Sequence, residues 1–168
     1  MAGPGVAAEA AQETASLLPI LFVTAPTVVA CVLLHWATLT WLIRLFRARQ
    51  VKPQPALLVG VLVLLAVHVV EITMFAGVLH LLWHAAPHTV GGLNGPQIDA
   101  FFDVWYFSAC VYTTVGFGDI VPTGPARFFA GVEALAGLLM ITWSASFTFL
   151  VMQRAWMQRF EEIPPPGR

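Results

Sequence analysis

Seven consecutive residues, Thr113-Thr114-Val115-Gly116-Phe117-Gly118-Asp119, hold the chemistry of this chain, and they hold it in their backbone. A cation that sheds its water needs rings of oxygen in its place, and main-chain carbonyls can supply them. Successive carbonyls face one axis only where the backbone alternates between ordinary and left-handed conformations. Gly116 and Gly118 adopt the left-handed one at little steric cost. Val115 and Phe117 then turn their side chains outward into packing, and the Thr114 hydroxyl adds a ring of oxygen below the carbonyls. The same residues in isolation also read as a glycine-rich turn of a soluble protein, so the surrounding segments must decide.

They decide for a membrane. Of 168 residues, 58% are hydrophobic and only 10% charged, where a soluble domain carries about 25% charged residues. The formal net charge is −1 and no long basic run occurs, so nothing points to nucleic acid. Cys31 and Cys110 fall in apolar or helical segments at a spacing that suggests neither a metal site nor a disulfide framework. No catalytic constellation and no resident cofactor are indicated.

Residues 1–16 lack Lys and Arg and read as a flexible extracellular lead rather than the positive start of a signal peptide. Residues 17–46 read as a first span, with Pro26 expected to kink it and Trp36 and Trp41 near its second end. The loop 47–54 continues a basic cluster, Arg44, Arg47, Arg49 and Lys52, which the positive-inside rule makes cytoplasmic. A second span follows from residue 55, then a loop rich in His, Pro, Gly and Asn. Gln97 or Asp99 is placed to cap the next helix. That helix, 99–113, rises only about 22 Å and must re-enter on the side it came from. Such backbone is tolerated at membrane depth only when buried in protein or lining a water-filled cavity. A third span leads to a tail, 156–168. Six Lys/Arg lie at the inner ends of the spans against Arg127 at the outer one. The expectation is an all-α membrane protein of three transmembrane helices plus a re-entrant helix and loop, with the N-terminus outside and the C-terminus in the cytoplasm.

From about residue 55 to 155 the chain resembles the pore module of the potassium channel superfamily, in its bacterial two-span form, with an additional N-terminal transmembrane helix. Thr114 to Gly118 reads Thr-Val-Gly-Phe-Gly, where the usual filter is Thr-Val-Gly-Tyr-Gly. The resemblance implies an outer helix 55–84, turret 85–98, pore helix 99–113, filter 114–118 and inner helix 126–155. It implies potassium sites lined by Thr114, Val115, Gly116 and Phe117, closed by Gly118, and a homotetramer, because one chain supplies a quarter of each oxygen ring. Thr113, Asp119, Tyr106, Cys110 and Glu133 are the expected supports. Tyr106 and Phe107 stand where that group often has tryptophans. Cys110 stands where some members have a glutamate that partners the aspartate after the filter. Gly137 matches the inner-helix hinge, although close helix packing explains it equally well. Ile141, Ala145 and Phe149 share a face that would line the inner pore.

Ionisable residues inside spans default to functional hypotheses. Glu71 reads either as a switch with His68 or His35, sensitive to pH or lipid, or as a structural hydrogen bond between the first and second spans. Glu133 reads as a filter brace or a protonated core residue. His80, His84 and His88 cluster near the outer mouth, where they bind a metal ion, sense pH, or are simply solvated. The expected function is passive, potassium-selective conduction across a bacterial plasma membrane, with lipids and K+ as the partners. The rivals are a potassium-translocating subunit and a non-conducting accessory subunit of a larger complex.

Overall fold

The computed structural model describes residues 4–85, 91–95, 98 and 100–161. In chain order these form α1 (Pro4–Ala48), α2 (Pro53–Ala85), β1 (Leu93–Asn94), α3 (Phe101–Tyr112), β2 (Val121–Pro122) and α4 (Ala126–Glu161). Three stretches, Pro19–Ala48, Pro53–Ala85 and Ala126–Met157, are long and apolar enough to cross a bilayer. Helix α3 has 12 residues, a rise of about 18 Å, well short of a hydrocarbon core of about 30 Å.

Two boundaries differ from expectation. Helix α1 starts at Pro4, so the lead expected to be flexible is helical over 4–16. Residues 7–15 are mostly Ala, Glu and Gln, strong helix formers, and proline is tolerated in the first turn, where its missing N–H has no intrahelical partner. Helix α4 likewise continues past residue 155 to Glu161, into the expected tail. Gln97 and Asp99 lie outside the described residues. The N-cap of α3 is Ala100, whose N–H donates to the Asp103 carboxylate at 3.1 Å.

The helical assignment of α1 is unbroken through Pro19 and Pro26. The Thr24 hydroxyl donates to the Ile20 carbonyl at 2.5 Å and that of Thr27 to Val23 at 2.7 Å. The helix ends in a Schellman turn: Gln50 has φ 47°, its N–H donates to Arg47 and that of Val51 to Phe46. Pro53 then opens α2, a position where a missing N–H costs nothing.

The chain packs as two compact units. One comprises the chain to Cys31 together with Val70–Leu138; the other comprises Val32–Val69 with the chain from Leu139. In the first unit, Phe75 sits at the centre, its ring 6.4 Å from Tyr112 and edge-on to Phe129 at 5.7 Å. Leu79, Val104, Phe107 and Ala130 are buried around them. The strands β1 and β2 pair antiparallel, Leu93 opposite Pro122, and tie the segment before α3 to the segment after the 113–119 loop. Thr123 extends the tie, its N–H donating to the Gly92 carbonyl at 2.8 Å. These two short strands had no counterpart in the all-helical expectation.

In the second unit, Leu39, Leu42 and Leu64 form the apolar core, with Phe46, Val63 and Phe147 against it. Above it a polar node joins three helices. The Ser144 hydroxyl meets His68 Nε2 at 3.0 Å and His35 Nε2 at 3.2 Å, and the two imidazole rings are 5.3 Å apart. Trp143 stacks on His35 at 5.5 Å.

Lipid tails are as apolar as leucine, so hydrophobicity does not press these helices together; close packing and buried polar contacts must. Gly137 is the clearest case. A Cβ there would fall 2.1 Å from the Tyr112 carbonyl oxygen, inside the backbone of α3. At Gly60 a Cβ would meet Phe147 at 3.6 Å, an ordinary contact. Gly137→Ala is therefore expected to cost at least about 1–3 kcal/mol, and Gly60→Ala less than about 0.5 kcal/mol. Thermal unfolding of the detergent-solubilised variants checks the contrast.

Candidate functional site

The loop between α3 and β2 departs from ordinary backbone at alternate residues. Thr114 has φ 59°, Gly116 φ 54° and Gly118 φ 81°, and no other residue between Tyr112 and Pro122 has a positive φ. Alternation of this kind turns successive peptide groups to the same side, which a regular strand does not do. The sequence pointed to the two glycines. It did not point to Thr114, a β-branched residue for which positive φ is a genuine strain of about 1–3 kcal/mol.

The end of α3 holds the loop in this form. Thr113 and Thr114 donate their N–H groups to the carbonyls of Ala109 and Val111, and Gly116 donates to Cys110 at 3.1 Å. The Thr113 hydroxyl also reaches the Ala109 carbonyl, at 2.6 Å. Thr113, Thr114 and their neighbours through Asp119 are all exposed in the single chain, Val115 by 56% and Phe117 by 71%. A Cβ added at Gly116 or Gly118 would meet nothing within 4 Å.

Tyr106 braces the loop from the side. Its hydroxyl donates to Asp119 Oδ2 at 2.9 Å, and its ring stacks on Phe117 at 6.4 Å with the planes only 4° apart. The bond to Asp119 pushes the phenol up to about 12, so it stays protonated and a donor at neutral pH. Tyr106 thus partners the acid that Cys110, as a thiol, cannot hold strongly. Phe107, its neighbour in sequence, points the other way and is buried.

Behind α3 lies a polar cluster built by four helices. The Tyr112 hydroxyl donates to Glu71 Oε2 at 2.5 Å, and both side chains are fully buried. Glu71 is therefore tied to α3, a partner the sequence reading did not name. Glu133 is also fully buried, beside the Ser108 hydroxyl, and neither makes a hydrogen bond of ordinary geometry among the described residues. Cys31 of α1 lies within electrostatic reach of Glu71 and Glu133. Trp105 of α3 also donates to the Thr73 hydroxyl of α2, at 2.9 Å.

The remaining candidates separate. Ile141, Ala145 and Phe149 share a face of α4 that is exposed in the single chain, whereas Ser144, Phe147 and Val151 point inward. Gly137 stands against α3, as above. His80 and His84 are together, ring centroids 4.2 Å apart, with His84 Nδ1–H donating to the His80 carbonyl. His88 lies outside the described residues.

Comparison with known proteins adds one match. The family model described as an ion channel covers residues 61–154, more than half of the chain. Its span takes in most of α2, all of α3 and the 113–119 loop, and α4 as far as Arg154; α1 is outside it. Neither the curated proteins nor the solved structures gave a significant match. The three apolar spans, the helix too short to cross, the backbone alternation after it and the family match agree: this is a multi-pass membrane protein that belongs to the ion channel family, with the pore module of the potassium channel superfamily.

Proposed function

We propose that four copies of this chain form a potassium-selective channel, with Thr114 to Gly118 as the filter. The observation that carries the reading is the alternation of left-handed backbone at Thr114, Gly116 and Gly118. It is the geometry a row of carbonyls needs to face one axis, and carbonyls in rings replace the hydration shell of a permeant cation. The carbonyls of Thr114, Val115, Gly116 and Phe117 are the ligands in this reading, with the Thr114 hydroxyl lowest.

The tetramer follows from what one chain leaves open. Val115 and Phe117 are large, apolar and exposed in a loop flanked by membrane spans. Neighbouring copies around a closed axis would cover them while completing the oxygen rings, and cyclic symmetry is the usual solution. The exposed face of Ile141, Ala145 and Phe149 then lines the inner cavity. The C-terminal end of α3 brings roughly −0.5 charge towards the ion path from each copy. Tyr106, Asp119, Thr113 and Cys110 hold the filter from outside, and Glu133 braces it from behind. In this reading the basic ends of the spans and the C-terminus face the cytoplasm, in keeping with the positive-inside rule, and the membrane is the bacterial plasma membrane.

The reading is tested by ion flux from liposomes that contain only this protein. Potassium flux without sodium flux is expected, and loss of it in Gly116→Ala, where a Cβ meets a left-handed backbone at a cost of about 1–2 kcal/mol per copy. Equal flux of both ions would defeat the claim of selectivity. Absence of flux at every pH would favour the accessory-subunit rival.

A second expectation concerns the Tyr106 brace. Tyr106→Phe keeps the ring stack on Phe117 and removes the bond to Asp119. Sustained currents should decay several-fold faster, with the melting temperature unchanged. Asp119→Asn should do the same, and the two changes together should do no more than either alone.

A further inference from the structure

At the basic end of the spans, α1, the connection after it, α2 and α4 enclose a pocket of about 570 Å3. Its wall is mostly apolar, with Phe46, Val51, Phe147, Leu150 and Met157 prominent. Two arginines, Arg47 of α1 and Arg154 of α4, also line it, and both residues are exposed. Neither forms an ion pair among the described residues. The sequence offers no acid close by: there is no Asp or Glu between Glu13 and Glu71, nor between Glu133 and Glu161. Arg44, Arg49 and Lys52, in the same short stretch as Arg47, add to the positive charge.

The pocket therefore asks for two things at once. Its arginines call for an anion, and guanidinium is well matched to phosphate, which it can bind through two parallel hydrogen bonds. Its wall calls for hydrocarbon. A free anion would leave Phe46 and Phe147 in water, and a neutral lipid would leave the arginines without a counter-charge. The pocket also lies where the apolar spans end, at Ala48, Pro53 and Met157, the level at which headgroups meet acyl chains. Basic pockets between helices at this depth bind anionic headgroups.

We propose that this pocket binds an anionic phospholipid, its phosphate held by Arg47 and Arg154 and the first part of an acyl chain laid against Phe46 and Phe147. The part of the wall contributed by α1 and the connection, Ile43, Phe46, Arg47 and Val51, falls outside residues 61–154, the part matched by the ion channel family. The site is thus shared between the additional helix, which brings Phe46 and Arg47, and α4, which brings Phe147 and Arg154, and it gives the additional helix a role separate from conduction. The proposal needs only that the chain spans a membrane; it does not depend on potassium selectivity.

The full-length protein, stripped of lipid in neutral detergent, would be titrated with phosphatidylglycerol, with phosphatidylcholine and with inorganic phosphate. Binding is read by native mass spectrometry and by the rise in melting temperature. Phosphatidylglycerol is expected to bind at least tenfold more tightly than phosphatidylcholine, and millimolar phosphate should not displace it. Arg47→Gln and Arg154→Gln should each weaken it about fivefold, and Arg154→Lys should lose less than Arg154→Gln. Arg127→Gln, at the other end of α4, should change nothing. Both pocket arginines are exposed, so the lipid-free melting temperature of the variants should match that of the parent. Equal binding of the two lipids would overturn the proposal, as would full binding by the double variant or displacement by phosphate. Binding that appears only after truncation beyond Arg159 would show that the chain's own acidic end fills the pocket, and would overturn it too.

Discussion

Backbone at membrane depth has no water to satisfy it, and that constraint shapes the first compact unit. A helix satisfies its own peptide groups; the segment 114–118 does not. Its alternating backbone, with a threonine forced to φ 59°, is a conformation the chain would not hold unaided. It is held because three amide groups, on Thr113, Thr114 and Gly116, are tied back to the last turn of α3, while Tyr106 fixes the far end through Asp119. The carbonyls of Thr114 to Gly118 accept no backbone hydrogen bond among the described residues, as the proposed filter requires. Strain at Thr114 and the unpaired carbonyls belong to the same arrangement, since both come from turning successive peptide groups to one side.

A loop held by α3 is only as firm as α3. That helix is short, and Gly137 lets α4 approach its backbone so closely that no side chain fits between. The buried Tyr112–Glu71 bond adds a second attachment, from α2, at the residue just before the loop begins. Losing one partner of such a pair would leave a polar group stranded in apolar surroundings, which is more costly than never having had the pair. The two buried carboxylates of the spans, Glu71 and Glu133, therefore both belong to the unit whose helix carries the loop. Cys31 brings α1 to the same cluster, so the additional helix packs into the support of the loop without being part of the family module.

Much of this was legible in the sequence. The apolar runs gave three spans, the glycine pattern gave the loop, and the shortness of the segment after Pro96 gave a helix that cannot cross. What could not be read were the faces and the partners. Leu58, Leu62 and Leu65 are exposed, while Cys31, His35 and Glu71 are buried. In a membrane the outward face is the more apolar one, so hydropathy finds a span without finding its inner side. Partners were hidden for a related reason. Glu71 and Tyr112 are 41 residues apart, and nothing local in either stretch names the other. The start of α1 was misjudged because few apolar residues precede Leu17, although helix propensity needs none.

The loop, rather than the exposed face of α4, is what argues for the proposed assembly. A lone polypeptide in a bilayer could leave Leu135, Leu138 and Leu139 towards lipid without difficulty. It could not do so with the 113–119 loop, whose threonines, glycines and aspartate are polar or bare backbone and are all uncovered. Lipid does not satisfy such groups. Either water reaches the loop or other copies of it do, and a ring of copies around a water-filled axis provides both. The proposed oligomer is thus supported by the exposed backbone itself: bare peptide groups are unsuited to face hydrocarbon, and in the proposed ring of four they need not.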